Sequence, residues 1–340
     1  MVEILDCTLR DGSYVNDFGF TAEFTRQLSR ELDDLGFPYI EVGHGVGLGA
    51  SDKGYGVAAC SDAEYMEAAH SPWGMFCIPG IAELEDVRRL IRFGGSFIRI
   101  GCEVHKVDAA LPFIELARAG GLYVFCNFMK SYCVPRKQFL LDAKESISAG
   151  ANCIYVVDSA GGMSSRDVYL YVSSVKEYYG GIVQVGFHGH NNIGLGVANA
   201  VSACEAGADI IDCSLQGMGR SGGNVPTEQF LAAMASQGMP LCYDIIRVMR
   251  MGERLVRPML RDPGLSSLDI MAGLVQFHSS YMKRLLEVAK ENRVDPLNLM
   301  REVSSRDKVN VTRELIQRCA EHMDPEDIRY FKEYYGEEQS

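Results

Sequence analysis

Eight short apolar runs, at residues 4–10, 39–43, 75–78, 97–101, 122–127, 153–158, 183–188 and 210–214, are each followed by a stretch with helical periodicity. Repeated alternation of strand and helix implies a parallel sheet, because a parallel pair needs a crossover long enough to hold a helix. The runs are continuous in apolar character, as befits strands covered on both faces. Eight such units fit a closed (β/α)8 TIM barrel, an α/β fold. An open doubly wound sheet is the competing arrangement, but no Gly-x-Gly-x-x-Gly follows the first run. Polar residues also recur at most strand ends, which in a barrel converge on one rim. Residues 1–238 are therefore expected to form the barrel and residues 239–340 a C-terminal helical domain. Beyond residue 240 no strand-like run recurs, and the stretches 243–255, 268–292, 295–304 and 311–319 read as helices. Asp324-Pro325-Glu326-Asp327 reads as a further helix start, with Asp as cap and Pro in the first turn, ahead of a frayed tail at 336–340.

The 45 acidic and 33 basic side chains leave a formal net charge of −12, which argues against nucleic acid or an anionic membrane as the main partner. Eleven cysteines are scattered without a Cys-x-x-Cys pair, and Cys7, Cys102, Cys126, Cys153 and Cys213 lie in apolar runs. They read as small buried thiols in a reducing compartment. The first residues lack a basic segment followed by a long apolar core, and no segment approaches membrane-spanning length, so a cytoplasmic location is expected.

His188-Gly189-His190-Asn191 closes the seventh run. Side chains alternate along a strand, so both histidines project the same way and can share one metal ion. Asp6-Cys7-Thr8-Leu9-Arg10-Asp11-Gly12 closes the first run and supplies Asp11 as an anionic ligand. Two imidazoles and a carboxylate suit a divalent ion, led by Mn²⁺, with Co²⁺, Zn²⁺, Fe²⁺ or a water-completed Mg²⁺ as alternatives. Arg10 could stabilise an oxyanion beside the metal, or form a salt bridge with Glu41 or Asp158 at neighbouring strand ends. The Gly-rich loop 217–226 lacks the Lys-Ser/Thr of a P-loop and is read as delivering Asn224 to the metal, as a ligand or just behind the ligands. Glu41 and His44 at the second strand end could orient the metal site or hold Arg10. Asp158 and Ser159 lie at the sixth, where the Ser159 hydroxyl could bind a substrate carboxylate. Lys130, past the fifth, raises imine chemistry but reads as a solvated lysine. His70, His105 and His322 have no supporting pattern.

Thr8-Leu9-Arg10-Asp11-Gly12, Ile40-Glu41-Val42-Gly43-His44-Gly45, Val156-Val157-Asp158-Ser159-Ala160-Gly161-Gly162-Met163, His188-Gly189-His190-Asn191-Asn192 and Gly222-Gly223-Asn224 occur in that order. Together they resemble the DRE-TIM metallolyase (HMG-CoA lyase-like) superfamily over roughly residues 3–285. Within it the Leu9-Arg10-Asp11-Gly12 and Glu41-Val42-Gly43-His44-Gly45 segments are most similar to those of the 4-hydroxy-2-oxovalerate aldolases. The resemblance implies that Asp11, His188 and His190 bind the metal and that Arg10 stabilises a pyruvate enolate. It also implies a homo-oligomer and a C-terminal helical domain that can dock an acylating aldehyde dehydrogenase.

Two positions depart from that pattern. Those aldolases carry His two residues after the Gly of Arg-Asp-Gly, where this chain has Ser13-Tyr14. They carry Tyr before a Ser-Ser pair in the C-terminal region, where Phe277-His278-Ser279-Ser280-Tyr281 offers His. An exchanged pair would make His278, with an ordinary pKa of about 6.5, the base, and Tyr14, at about 10, a proton donor. His278 as an ordinary helix residue is the plainer alternative. The implied activity is that of a divalent-metal-dependent class II aldolase, a lyase that cleaves or forms a 4-hydroxy-2-oxo acid through a metal-bound pyruvate enolate and an aldehyde. The alternatives are an acyl-CoA-dependent Claisen-type synthase and a non-catalytic metal-binding scaffold that engages another enzyme through its C-terminal helices.

Overall fold

Strands that are apolar on both faces need a layer inside and a layer outside, and the computed structural model of the chain, which describes residues 2–104, 106–260 and 267–325, supplies both. Eight strands, β1 (Glu3–Asp6), β2 (Tyr39–Val42), β3 (Trp73–Cys77), β4 (Phe97–Glu103), β5 (Tyr123–Met129), β6 (Cys153–Asp158), β7 (Gln184–Gly189) and β8 (Ile210–Cys213), pair in parallel and close into a barrel through β8 and β1. Closure leaves no unpaired edge. Eight helices alternate with them: α1 (Ala22–Asp34), α2 (Asp62–Ala68), α3 (Leu84–Arg92), α4 (Val107–Ala119), α5 (Arg136–Ala149), α6 (Ser165–Tyr179), α7 (Gly196–Glu205) and α8 (Thr227–Ser236). In β4, Ile98 and Ile100 join the apolar layer under the helices, whereas Phe97 packs inside with Leu5, Phe125 and Tyr155. Period-two alternation therefore puts Arg99 inside too, where it spans to β2 and β8. None of the described helices is long and apolar enough to cross a membrane.

The first strand is shorter than the apolar run 4–10 suggests. After Asp6 the chain turns, because the Asp6 carboxylate accepts hydrogen bonds from the Thr8 amide and hydroxyl, each at 3.0 Å. The amides of Arg10, Asp11 and Gly12 then converge on the Cys7 carbonyl. Arg10 and Asp11 thus sit on the loop above the strand, opening a 3-10 helix at Asp11–Asn16. β8 lies between β1 and β7, so the Arg10-Asp11 and His188–His190 segments are close neighbours on the rim.

Among the described residues five α-helices follow: α9 (Ile245–Met251), α10 (Ser267–Val275), α11 (Met282–Asn292), α12 (Pro296–Arg306) and α13 (Arg313–Ala320). α9 contributes Val248 and Met251 to the barrel core, and a second core assembles from Phe277, Leu285, Leu299, Val303 and Ile316. The expected single helix at 268–292 is two helices. Gln276 adopts a left-handed conformation, φ 58°, and the Phe277 amide bonds back to the Ala272 carbonyl, ending α10. This turn buries Phe277 and leaves His278 as the cap of the next one, a 3-10 turn at Ser279–Tyr281. α10 docks on the barrel rim: Asn192 donates to the Asp269 carbonyl at 3.0 Å, and Gly162 passes so close to the Gly273 carbonyl that a Cβ would overlap it. The helix start expected at Asp324 runs into residues from 326 onward, outside those described, as does the tail.

Candidate active site

The β7 alternation and the turn after β1 bring Asp11, His188 and His190 together, buried, with potential ligand atoms all within 4.8 Å of one another. Hydrogen bonds behind the rings fix which nitrogen faces the cluster. His188 Nδ1 donates to the Asp212 carboxylate at 2.8 Å and His190 Nδ1 to the Gly223 carbonyl at 3.2 Å, so each Nε2 lone pair is left for a ligand. Burial, then the nearby His188 and Arg220, hold His190 neutral by moving its pKa down to about 3, against the opposing pull of Asp11. Burial pushes the Asp11 carboxyl up, but Arg10, with Arg220 adding to it, outweighs that and keeps it ionised. Asp11 Oδ2 and Asn224 Oδ1 are buried acceptors without a hydrogen-bond partner. Buried acceptors are seldom left orphaned, and a cation beside them would satisfy both. The donor set thus fits a divalent ion. Asn224 is held with its Nδ2 donating to the Met218 carbonyl at 3.2 Å, and a bridge joins its backbone to His190.

Of the two salt-bridge partners expected for Arg10, the structure brings Glu41. Arg10 Nε donates to Glu41 Oε2 at 2.8 Å and Nη1 to Asp11 Oδ1 at 2.6 Å, with the guanidinium 4.7 Å from the Phe76 ring centre. The same Glu41 oxygen accepts from Arg99 Nη1 at 2.7 Å, and Arg99 is ion-paired on its other side with Asp212. A continuous chain of charge therefore runs Arg10, Glu41, Arg99, Asp212, His188 through the barrel centre. Asp158 does not join it: its carboxylate accepts the Gly162 and Met163 amides at 3.1 and 2.9 Å and closes the loop after β6. His44 corrects the expectation that it holds Arg10 or the metal site. Its Nδ1 accepts from the Val46 amide and its Nε2 meets the Gly56 carbonyl, while its ring stacks on Phe18 at 3.9 Å.

Lys130 is a second correction, since it is buried rather than solvated. Its Nζ bonds Glu103 at 3.0 Å and the Tyr281 hydroxyl at 2.8 Å. Burial pulls its pKa down, but Tyr281 and Glu103 more than offset that, and the net shift is upward. Its backbone amide donates to Ser159 Oγ at 3.0 Å.

A cavity of about 1250 Å³ opens over the cluster. Arg10, Asp11, Tyr14, Ser159 and His278 all line it, so the residue from the C-terminal turn reaches the same space as the one after β1. Tyr14 and His278 meet through Arg220: its Nη2 donates to His278 Nε2 at 3.1 Å, and its guanidinium lies 5.4 Å from the Tyr14 ring centre. His278 Nδ1 faces Ser280 Oγ at 2.7 Å. Burial, followed by Arg220 and Lys130, pushes the His278 pKa well down, and burial pushes the Tyr14 phenol up. Cys102 forms part of the wall, its Sγ donating to the Glu103 carbonyl at 3.4 Å.

Sequence reasoning missed Arg99, Asp212 and Arg220. The first two carried a signal, a lone charge inside the apolar runs Phe97-Ile98-Arg99-Ile100 and Ile210-Ile211-Asp212-Cys213. Arg220 lies in a loop read only for its asparagine.

A family model described as HMGL-like matches residues 1–255. A 4-hydroxy-2-oxovalerate aldolase of Carboxydothermus hydrogenoformans is 32% identical over 89% of this chain and 91% of its own. 4-hydroxy-2-oxovalerate aldolase 4 of Rhodococcus jostii is 35% identical over 90% of this chain and 88% of its own. Among solved structures, the carboxyl transferase domain of Rhizobium etli pyruvate carboxylase superposes with a TM-score of 0.76 at 15% identity, over 94% of this chain and 60% of that one, a likeness of fold.

Proposed function

The chain belongs to the HMGL-like family, and from that premise we propose that it is a divalent-metal-dependent aldolase cleaving or forming a 4-hydroxy-2-oxo acid, with pyruvate and an aldehyde as the smaller partners. The observation that carries the reading is the convergence of Asp11, His188, His190 and Arg10 at one buried end of a large cavity. Asp11, His188 and His190 would hold the ion, with Asn224 Oδ1 as a further donor. Such an ion supplies Lewis-acid polarisation of a 2-oxo group, and Mn²⁺ is the first to test.

The protein's own groups do the rest. Arg10 stays cationic, because Glu41 and Asp11 overcome the effect of burial, and it is fixed in place by both. It therefore offers a preorganised donor to the enolate oxygen as the C3–C4 bond breaks. Ser159, which lines the cavity, would offer its Oγ as a hydrogen-bonding group for the substrate carboxylate. A neutral His278 takes the 4-hydroxyl proton at Nε2 once Arg220 yields that lone pair, and the Tyr14 phenol serves as a donor when the enolate carbon is protonated to give pyruvate. A homo-oligomer and an acylating aldehyde dehydrogenase on the C-terminal helices belong to the same reading and are tested by sizing and co-purification.

The test is loss of the pyruvate methyl signal in D₂O, followed by NMR with Mg²⁺, with catalytic Mn²⁺ and with chelator. Metal-dependent loss is expected, and Arg10→Ala should slow it by about 100-fold or more while metal is retained. Persistence of the signal with metal bound would sink the pyruvate aldolase reading in favour of acyl-CoA condensation. Unaltered exchange in Arg10→Ala would remove Arg10 from the mechanism.

A further inference from the structure

The cavity is larger than the roughly 300–1000 Å³ that encloses most small ligands, so pyruvate and a two- or three-carbon aldehyde would leave much of it unfilled. Its lining is also rich in cations for a protein of net charge −12: Arg10, Arg99, Lys106, Lys130, Arg220 and Lys283 line it against Asp11, Asp17 and Glu103. Four of these are neutralised. Arg10 pairs with Asp11 and Glu41, Arg99 with Glu41 and Asp212, and Lys106 and Lys130 share Glu103. Arg220 and Lys283 have no carboxylate within ion-pair distance among the described residues.

Arg220 is the telling one. Its guanidinium is half-buried, its Nε is buried without a hydrogen-bond partner, and its held contacts are a neutral imidazole and a phenol ring. Neither compensates its charge. A guanidinium cannot shed its proton in a protein, and the Asp11 carboxylate that feels its charge is already engaged by Arg10, so the direct complement of Arg220 is left to the ligand. Lys283 stands on the outer wall of the same cavity, at the start of α11, exposed and equally unpaired.

Resting on the aldolase reading, we propose that the second substrate is an aldehyde bearing an anionic group, a carboxylate or a phosphate, that Arg220 binds with Lys283 behind it. The anion replaces His278 as the partner of Arg220 Nη2 and leaves the His278 Nε2 lone pair free, so that recognition of the acceptor and exposure of the base are one event. A neutral aldehyde would leave Arg220 on the imidazole and the base masked.

The experiment compares matched acceptors with pyruvate on the Mn²⁺-loaded protein: propanal against succinic semialdehyde, and glyceraldehyde against glyceraldehyde 3-phosphate. Wild type should favour the charged member of at least one pair by about 30-fold or more in kcat/KM, and the pair that shows it identifies the anion. Arg220→Gln should bring that ratio close to one whatever its absolute rate, Arg220→Lys should restore part of it, and Lys283→Gln should lower it less. Calorimetry with succinate and with inorganic phosphate gives a second readout, with the preferred anion binding at least about tenfold more weakly to Arg220→Gln. No preference in wild type, or a ratio unchanged in Arg220→Gln, overturns the proposal. So does an equal rise in pyruvate KM with every aldehyde, which would assign Arg220 to the oxo acid. Absence of methyl exchange in metal-loaded wild type is failure of the aldolase reading itself, and the anion site is then decided by calorimetry alone, where equal binding by wild type and Arg220→Gln refutes it.

Discussion

Asp212 shows how a residue that lines no part of the cavity governs what happens there. It fixes His188 with Nδ1 protonated and is itself fixed by Arg99, which outweighs burial and keeps the carboxylate ionised. Asp212→Asn removes that charge and disturbs both contacts, so metal affinity measured by chelator competition should fall about 10- to 100-fold. Wild-type affinity in that variant would mean the tautomer is set some other way. Lys130 carries the opposite expectation. Held protonated by Glu103 and Tyr281, it is a poor imine former, and borohydride added with pyruvate should leave the protein's mass unchanged. A mass increase at Lys130 would bring imine chemistry back. At this scale the sequence was legible where one strand holds the whole pattern, as with His188 and His190. It was not legible for Arg99, whose partners Glu41 and Asp212 lie 58 and 113 residues away and meet it only because the barrel closes.

At the scale of elements, the apolar runs predicted all eight strands, because a strand covered on both faces must be continuously apolar whatever surrounds it. Strand ends were less legible: β1 stops at Asp6 because the Asp6–Thr8 hydrogen bonds compete with the ladder, although the sequence stays mostly apolar to Leu9. The break between α10 and α11 was hidden for a different reason. Apolar residues keep helical spacing across it, and the left-handed Gln276 answers to the burial of Phe277 in the second core. That break carries His278 to the cavity, so the docking of α10 is part of the site. Gly162 passes directly against the Gly273 carbonyl in that docking, and no side chain fits there. Gly162→Ala should cost about 1–3 kcal/mol in denaturant unfolding and raise hydrogen exchange in α10 and in the turn bearing His278, with metal affinity little changed. Undisturbed exchange in α10 would show that the helix is held elsewhere.

For the whole molecule, the acids buried at the rim make stability depend on pH. Burial raises the Asp6 carboxyl to about 7 and Asp158 to about 6, against ordinary values near 3.8. Between those limits the folded chain keeps protons that the unfolded chain has released, so their contribution is present below about pH 4 and is lost as pH rises toward 7. Each group changes stability by at most about 1.4 kcal/mol per pH unit. Urea unfolding of Asp6→Asn from pH 5 to 8 should therefore show a smaller decline with pH than wild type, and an identical slope would remove Asp6 as its source. The barrel as a whole was legible because eight like units can close, whereas the cavity's size and its unpaired cations emerge only after the C-terminal turn is placed over the rim.

Cys102 gives the cavity a property that concerns durability. Aldehydes add readily to thiolates, and a protein that handles them risks being modified by its own reactant. Cys102 shares the outward parity of Ile98 and Ile100, so its thiol packs under the helices, tied to the Glu103 carbonyl, where contact with Cys126 and burial raise its pKa and keep it protonated and weakly nucleophilic. If the proposed aldolase activity holds, repeated turnover at high aldehyde concentration should leave that cysteine unmodified, which the intact mass of the spent protein checks.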